Sequence, residues 1–278
     1  MRHLKFLLLF PIFYSVNCIS QTVEEVSLPL TSKVEIKSDY GVEYVIYISL
    51  PPEYLNSDKA YPVTYVLDGD LTFGIAYNSR VLMSYGKEIP EVILVGLAYK
   101  EGFENIHNNR LRDFTPTAWS EEQIEKFTGV SGIKNSGGAD AFLNFLEDSV
   151  KKHINNNFRV DQNNQTLVGY SLSGLFAVHV ANKKESYFKN YLIASPSLWW
   201  FGPSLPDFSK SNGTSQMYWS VGSLENPEAM VNPWKKITSV LELSNFAIQS
   251  EILEDEGHVT AFNSAFTRGI KFLFKTNN

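Results

Sequence analysis

A serine hydroxyl is too weakly acidic to attack an ester unaided. It needs an imidazole within hydrogen-bond reach, usually with a carboxylate that orients the ring. Three stretches of the chain supply these groups. Val168 to Gly174 reads VGYSLSG and sets Ser171 between Gly169 and Ser173. YWSVGSLENPEAM carries Glu225, the first acid after an apolar run, and EILEDEGHVTAF carries His258 beside Gly257. Together such residues hydrolyse esters through an acyl-serine, chemistry that requires no metal ion or organic cofactor.

A glycine, any residue, serine, any residue and a small residue recur by chance in a chain of this composition, so the surroundings of Ser171 must decide. TLVGYS reads as a buried strand. SLSGLFAVHVA continues as a helix whose apolar positions include Leu172, Leu175, Phe176 and Val180, so Ser171 falls at the strand-to-helix junction. A nucleophile on so sharp a turn has strained backbone, and the helix swings back against its own strand, so positions two before and two after must be small. Gly169 and Ser173 meet that demand, although Ser173 adds a hydroxymethyl where glycine is usual. The Leu172 backbone N–H at the helix start is placed to stabilise an oxyanion, and Leu97 or Ala98, in VGLAY after an earlier strand, is the candidate for the second donor.

The other histidines fit the role of base less well. His3 lies in the N-terminal segment, His107 in a polar stretch, His153 among lysines and asparagines, and His179 two turns into the elbow helix. His258 follows the last strand and precedes the last helix, where an α/β-hydrolase keeps its base, in the order serine, acid, histidine. For the acid, Glu225 leads; Glu228 could instead answer a helix dipole, Asp255 stands three residues before His258, and a serine–histidine dyad stays open.

These groups need a frame. KVEIKS and EYVIYISLP, at 33–38 and 43–51, read as an antiparallel hairpin turning around Asp39 to Gly41. YPVTYVLDGD, EVILVGLAY, NQTLVGYS, NYLIASPS and SQMYWSVGS are short, nearly continuous apolar runs, as in strands covered on both faces. Helical patterns lie at 71–85, 137–157, 172–184, 228–242 and 259–274. The alternation predicts an α/β fold with a mostly parallel sheet, helices on both faces, and chemistry beyond the carboxyl ends of the strands. The tract at about 101–136 lacks clear periodicity and reads as a binding loop or lid.

At the N-terminus, Arg2, His3 and Lys5 precede the apolar run Phe6 to Tyr14, followed by small residues before Gln21. This is the layout of an export signal over 1–20, leaving 21–278 as one domain, periplasmic or secreted. The run is far short of the ~20 residues a membrane-spanning helix needs. Cleavage after Ser20 removes Cys18, the lone cysteine. Cleavage before Cys18 would instead permit a lipid anchor, for which Asn17 is an awkward neighbour. Loss of Arg2 and Lys5 takes the formal charge from −6 to −8, so nothing favours nucleic acid as a partner.

The segments YPVTYVLDGD, RLRDFTPT, GGADAFLNFLED, LVGYSLSGLFAVHVA, ASPSLWW and EGHVTAF stand in an order that resembles the enterochelin-esterase-like branch of the α/β-hydrolase superfamily, which includes exported siderophore trilactone esterases. The resemblance covers most of the chain after residue 20. It implies Ser171 as nucleophile, His258 as base, Arg110 and Arg112 flanking the pocket, and Trp199 and Trp200 near its wall; Tyr170, next to the serine, joins them as a substrate-binding residue. The departures are Ser173 and the stretch Val150 to His153. The implied substrate is a small-molecule ester, such as a ferric siderophore lactone, with the two arginines pairing an anionic ligand and Trp199, Trp200 and Trp119 stacking on its rings. The residues by themselves also admit an Arg112–Asp113 turn network with core tryptophans, a feruloyl, acetyl or thioester specificity, and a silent binding site on the same fold.

Overall fold

The apolar runs form strands because β-branched and aromatic side chains alternate to both sides and both sides are covered. A computed structural model describes residues 25–208 and 215–275; the expected signal segment, with Cys18, lies outside them. Eight strands, β1 (Thr31–Lys37), β2 (Glu43–Ser49), β3 (Tyr61–Val66), β4 (Ile93–Tyr99), β5 (Val160–Tyr170), β6 (Asn190–Ala194), β7 (Gln216–Gly222) and β8 (Ala247–Leu253), make one sheet in the order β1-β2-β4-β3-β5-β6-β7-β8. β1 and β2 pair antiparallel, as do β2 and β4, and every other pairing is parallel. The hairpin turn closes through Ser38 N–H to the Val42 carbonyl at 2.8 Å, with Gly41 at φ 88°.

Helices cover both faces. On one side α1 (Gly69–Tyr85) and α8 (Ala261–Leu273) bury Phe73, Ala76, Phe262, Phe266 and Ile270 against Val66, Leu94, Val168 and Leu192. On the other, α2 (Ile106–Phe114), α4 (Ala139–Phe145), α6 (Leu172–Ala181) and α7 (Asn232–Leu241) bury Leu111, Phe114, Phe142, Phe176 and Trp234 against Tyr65, Leu97, Leu167 and Trp219. Neighbours such as Leu167 and Val168 thus serve opposite cores. Each fully buried side chain of this size contributes about 1.5–3 kcal/mol, which gives the sheet the rigidity to hold strained backbone at its edge. A π-helical segment, Leu146–Lys151, joins α4 to α5 (Lys152–Asn157), so 139–157 is continuously helical. Among the described residues no helix is long and apolar enough to cross a membrane.

One feature differs from the sequence reading. The tract at 101–136 is not unstructured: it carries a 3-10 turn, Gly102–Asn105, then α2 and α3 (Glu121–Thr128). α2 is short and mostly polar, so it shows no apolar stripe; α3 is announced by a capping box, in which the Ser120 hydroxyl accepts from Gln123 N–H and the Gln123 side chain accepts from Ser120 N–H. The sheet order reverses at β3. The chain runs from β3 to β4 on one side, then returns to lay β5 on the other. Such a reversal opens a crevice at the carboxyl ends of β3 and β5, where the loops part in opposite directions.

Candidate active site

The β5–α6 elbow stands at that crevice. Ser171 has φ 59° and ψ −118°, in the half of conformational space that non-glycine residues seldom enter. Neighbouring backbone holds it there: Ser171 N–H donates to the Ala194 carbonyl at 3.1 Å, and the Ser171 carbonyl accepts from Leu175 and Ser197 N–H at 2.9 and 3.0 Å. A side chain at Gly169 would force the elbow backbone to shift, since its Cβ would lie 2.2 Å from the Ser173 carbonyl oxygen. Ser173 is fully buried and fits; its Oγ accepts from Tyr170 N–H at 2.9 Å and donates to Asp68 Oδ2 at 2.7 Å.

The structure brings Ser171, His258 and Glu225 together from three strand ends. Ser171 Oγ lies 3.0 Å from His258 Nε2, and His258 Nδ1 lies 2.6 Å from Glu225 Oε2. The other Glu225 oxygen accepts from the Ser195 hydroxyl at 2.5 Å and Gly222 N–H at 2.8 Å. Burial opposes ionisation of Glu225, but hydrogen bonds from His258, Ser195 and Gly222 outweigh it and hold the carboxyl below its usual range. A carboxylate only accepts, so Nδ1 carries the ring proton and Nε2 is left to accept from Ser171. Glu228 instead opens the helical turn before α7 and bonds Asn232, and Asp255 lies in an exposed turn whose N–H donates to the Ser223 hydroxyl.

Tyr170 is half-buried beside His258. Its hydroxyl donates to the His258 carbonyl and its ring lies 5.1 Å from the imidazole. These contacts brace the histidine loop.

The expected second oxyanion donors, Leu97 and Ala98, are displaced. Both lie on β4, and β3 stands between β4 and the elbow strand β5. The loop beside the elbow is Asp68–Asp70, after β3. Gly69 packs so closely on β4 that a Cβ would come within 2.9 Å of the Leu97 carbonyl, and Tyr99 N–H donates to Asp70 Oδ2 at 2.9 Å. Gly69 and Asp70 open α1 as Leu172 opens α6, and the first N–H groups of a helix have no intrahelical acceptor.

The two arginines are already committed. Arg110 forks onto Asp68 at 2.8 and 3.0 Å. Arg112 forks onto Asp113 at 2.7 and 2.8 Å and reaches Asn109 at 2.8 Å, while the Tyr44 hydroxyl donates to Asp113. Burial would discharge either guanidinium, yet the facing carboxylates keep both firmly protonated. Arg112 therefore follows the turn-network reading, and the same pairing removes Arg110 as a free cation for an anionic ligand. The tryptophans divide. Trp200 is 2% exposed, stacks on Trp119 at 4.1 Å and donates to Thr117. Trp199 is half-buried and lies parallel to the exposed Phe127 at 6.3 Å. His179 pairs with Asp140 at 2.7 Å, away from the elbow.

The sequence marks Asp68 only as part of a polar turn after a strand and gives no role to it, to Ser195 or to Ser197, whose Oγ is 3.5 Å from that of Ser171. All three lie within three residues of the carboxyl end of an apolar strand, a position that marks the catalytic edge of such a sheet.

The Esterase family model matches residues 38–265. The ferri-bacillibactin esterase BesA of Bacillus subtilis is 31% identical over 247 residues, 82% of this chain and 84% of that one. The BES protein of Bacillus cereus superposes with a TM-score of 0.81 at 28% identity, covering 92% of this chain and 100% of that one. An IroE-like serine hydrolase from Shewanella oneidensis gives 0.73 at 25% identity, covering 88% and 80%. The match spans seven of the eight strands, the elbow and the first turn of the last helix, so the chain belongs to the Esterase family, in its enterochelin-esterase-like branch, and is a carboxylic-ester hydrolase on the α/β-hydrolase fold.

Proposed function

We propose that the ester is cleaved by Ser171, with His258 as general base and Glu225 as its orienting acid, and that the substrate is a siderophore-type lactone or related ester. The observation that carries the reading is the unbroken hydrogen-bond line from Ser171 Oγ through His258 to Glu225. Ser171 Oγ attacks the carbonyl carbon as its proton passes to Nε2. The tetrahedral oxyanion is received by Leu172 N–H and an N–H of the Gly69–Asp70 segment. Collapse expels the alcohol, which takes the proton from Nε2, and leaves an acyl-serine. Water then repeats the sequence and frees the acid. The named substrate of BesA supports the siderophore class. The parallel faces of Trp199 and Phe127 offer a stacking surface for an aryl group, which suits a catecholate and equally a feruloyl ester. The export signal read over 1–20 would put this activity outside the cytoplasm.

Fluorophosphonate labelling at neutral pH tests the nucleophile: the protein is modified at Ser171 and the Ser171→Ala variant is not. Ser171→Ala and His258→Ala each lower p-nitrophenyl ester turnover by ~10³-fold or more without unfolding the protein. A smaller loss would move the chemistry elsewhere. Mass spectrometry of products from ferric and iron-free trilactones, feruloyl sugars and acylated thiols assigns the ester class; turnover confined to the last two would overturn the siderophore reading.

A further inference from the structure

Ser173 occupies the elbow position where the family it resembles has glycine, and its hydroxyl is fully buried. A buried hydroxyl without partners costs about 1–3 kcal/mol, so its bonds bear on its purpose. Its oxygen accepts from the N–H of Tyr170, the residue before the nucleophile, and its one proton has two acceptors in reach, the Tyr170 carbonyl at 2.9 Å and Asp68 Oδ2 at 2.7 Å, of which the charged and nearer carboxylate is the stronger. Asp68 sits in the loop after β3, with left-handed φ of 56°, and both its oxygens are held by the Arg110 fork. Strain of that kind persists only where surrounding contacts over-determine the backbone. Gly69, the next residue, opens α1 beside the elbow strand with an N–H that has no intrahelical acceptor, and α2, through Arg110, anchors the far end.

We infer that Arg110, Asp68 and Ser173 form a buried polar brace that sets the distance between the two halves of the oxyanion site, the Gly69–Asp70 loop and the Leu172 end of the elbow. Arg110 and Ser173 are positioning residues: neither touches substrate. Arg110, Asp68 and Ser173 are joined by paired or charge-assisted hydrogen bonds, the strong class, so displacement at one end is carried to the other. Ser173 is then a working part of the site rather than a sign of a silent one. The inference rests on Ser171 being the nucleophile.

The test uses Ser173→Gly, which restores the residue usual in the family, with Ser173→Ala and Arg110→Lys. Turnover of a p-nitrophenyl ester is normalised to the initial p-nitrophenol burst, so an inactive fraction drops out. Affinity for an alkyl boronic acid, whose tetrahedral adduct on Ser171 presents an oxyanion, is measured alongside. Because misplacement by a fraction of an ångström weakens both donors at once, kcat and boronate affinity fall together by roughly 10- to 100-fold, while KM moves by less than about twofold. Arg110→Lys behaves likewise alone and adds less than about threefold in the Ser173→Ala background, since members of one unit are not additive. If kcat and boronate affinity stay within about twofold of the parent, or KM rises with kcat unchanged, or the two substitutions multiply in full, the brace is refuted. If Ser171→Ala itself retains turnover, the nucleophile assignment fails first and takes the brace with it.

Discussion

Replacing Glu225 with glutamine changes one oxygen for an NH2 in a side chain with no solvent exposure. One glutamine orientation is closed. The Oε1 site accepts from Gly222 N–H at 2.8 Å, and a backbone N–H cannot turn away, so the amide oxygen must stay there. The amide NH2 then faces His258 Nδ1 at the 2.6 Å contact, where it can be satisfied only if Nδ1 becomes an acceptor. The ring proton moves to Nε2, which now points a donor at Ser171 Oγ and cannot take its proton. A wrong tautomer of this kind costs about 10⁴-fold in kcat, or about 5 kcal/mol of transition-state stabilisation. The assay is steady-state hydrolysis of a p-nitrophenyl ester, with thermal unfolding to show that Glu225→Gln stays folded. The loss should rival that of His258→Ala. A loss under about tenfold would mean that His258 keeps its tautomer without Glu225 and that the site works as a dyad.

Ser195→Ala removes one of the hydrogen bonds that hold the Glu225 carboxyl low, so it should cost about tenfold in kcat and raise that carboxyl's pKa. A depressed carboxyl contributes stability above its unfolded value and loses it as pH falls through the folded value; in Ser195→Ala the acid loss of activity and stability therefore begins at higher pH, and superimposable pH profiles would refute the role. Ser171→Gly relieves a φ of 59° and should melt higher than Ser171→Ala, by about 1 kcal/mol at the midpoint, with both inactive; equal midpoints would mean that the elbow stores no strain. Gly169→Ala drives a methyl to 2.2 Å from the Ser173 carbonyl and should destabilise by more than about 2 kcal/mol, measured by denaturant unfolding; a neutral effect would show that the elbow backbone yields.

Much of the frame is legible along the chain because it rests on local pattern. The apolar runs ending at Val66, Tyr99, Tyr170, Ala194 and Gly222 form strands wherever both faces are covered, and Gly169 ahead of Ser171 marks the elbow through a steric demand within five residues. His258 could be separated from His107, His153 and His179 by its place between the last strand and the last helix. The helices α2 and α3 were harder to see. α2 places polar Asn109 and Asp113 on its buried side, where ion pairs and hydrogen bonds replace the apolar stripe that periodicity detects.

What the sequence determines by itself is the set of reacting groups and the order of elements that carry them, since a strand, a sharp turn and a helix are specified by near neighbours. Which strands become adjacent is decided only in three dimensions. The reversal at β3 makes Asp68–Asp70, not Leu97 and Ala98, the neighbour of the elbow. It is also only there that Arg110 meets Asp68, and that Glu225 rather than Asp255 reaches His258. Arg112 has its partner in the next residue, but a buried charge without such a neighbour must find one across the fold, as far away in sequence as Asp68 is from Arg110.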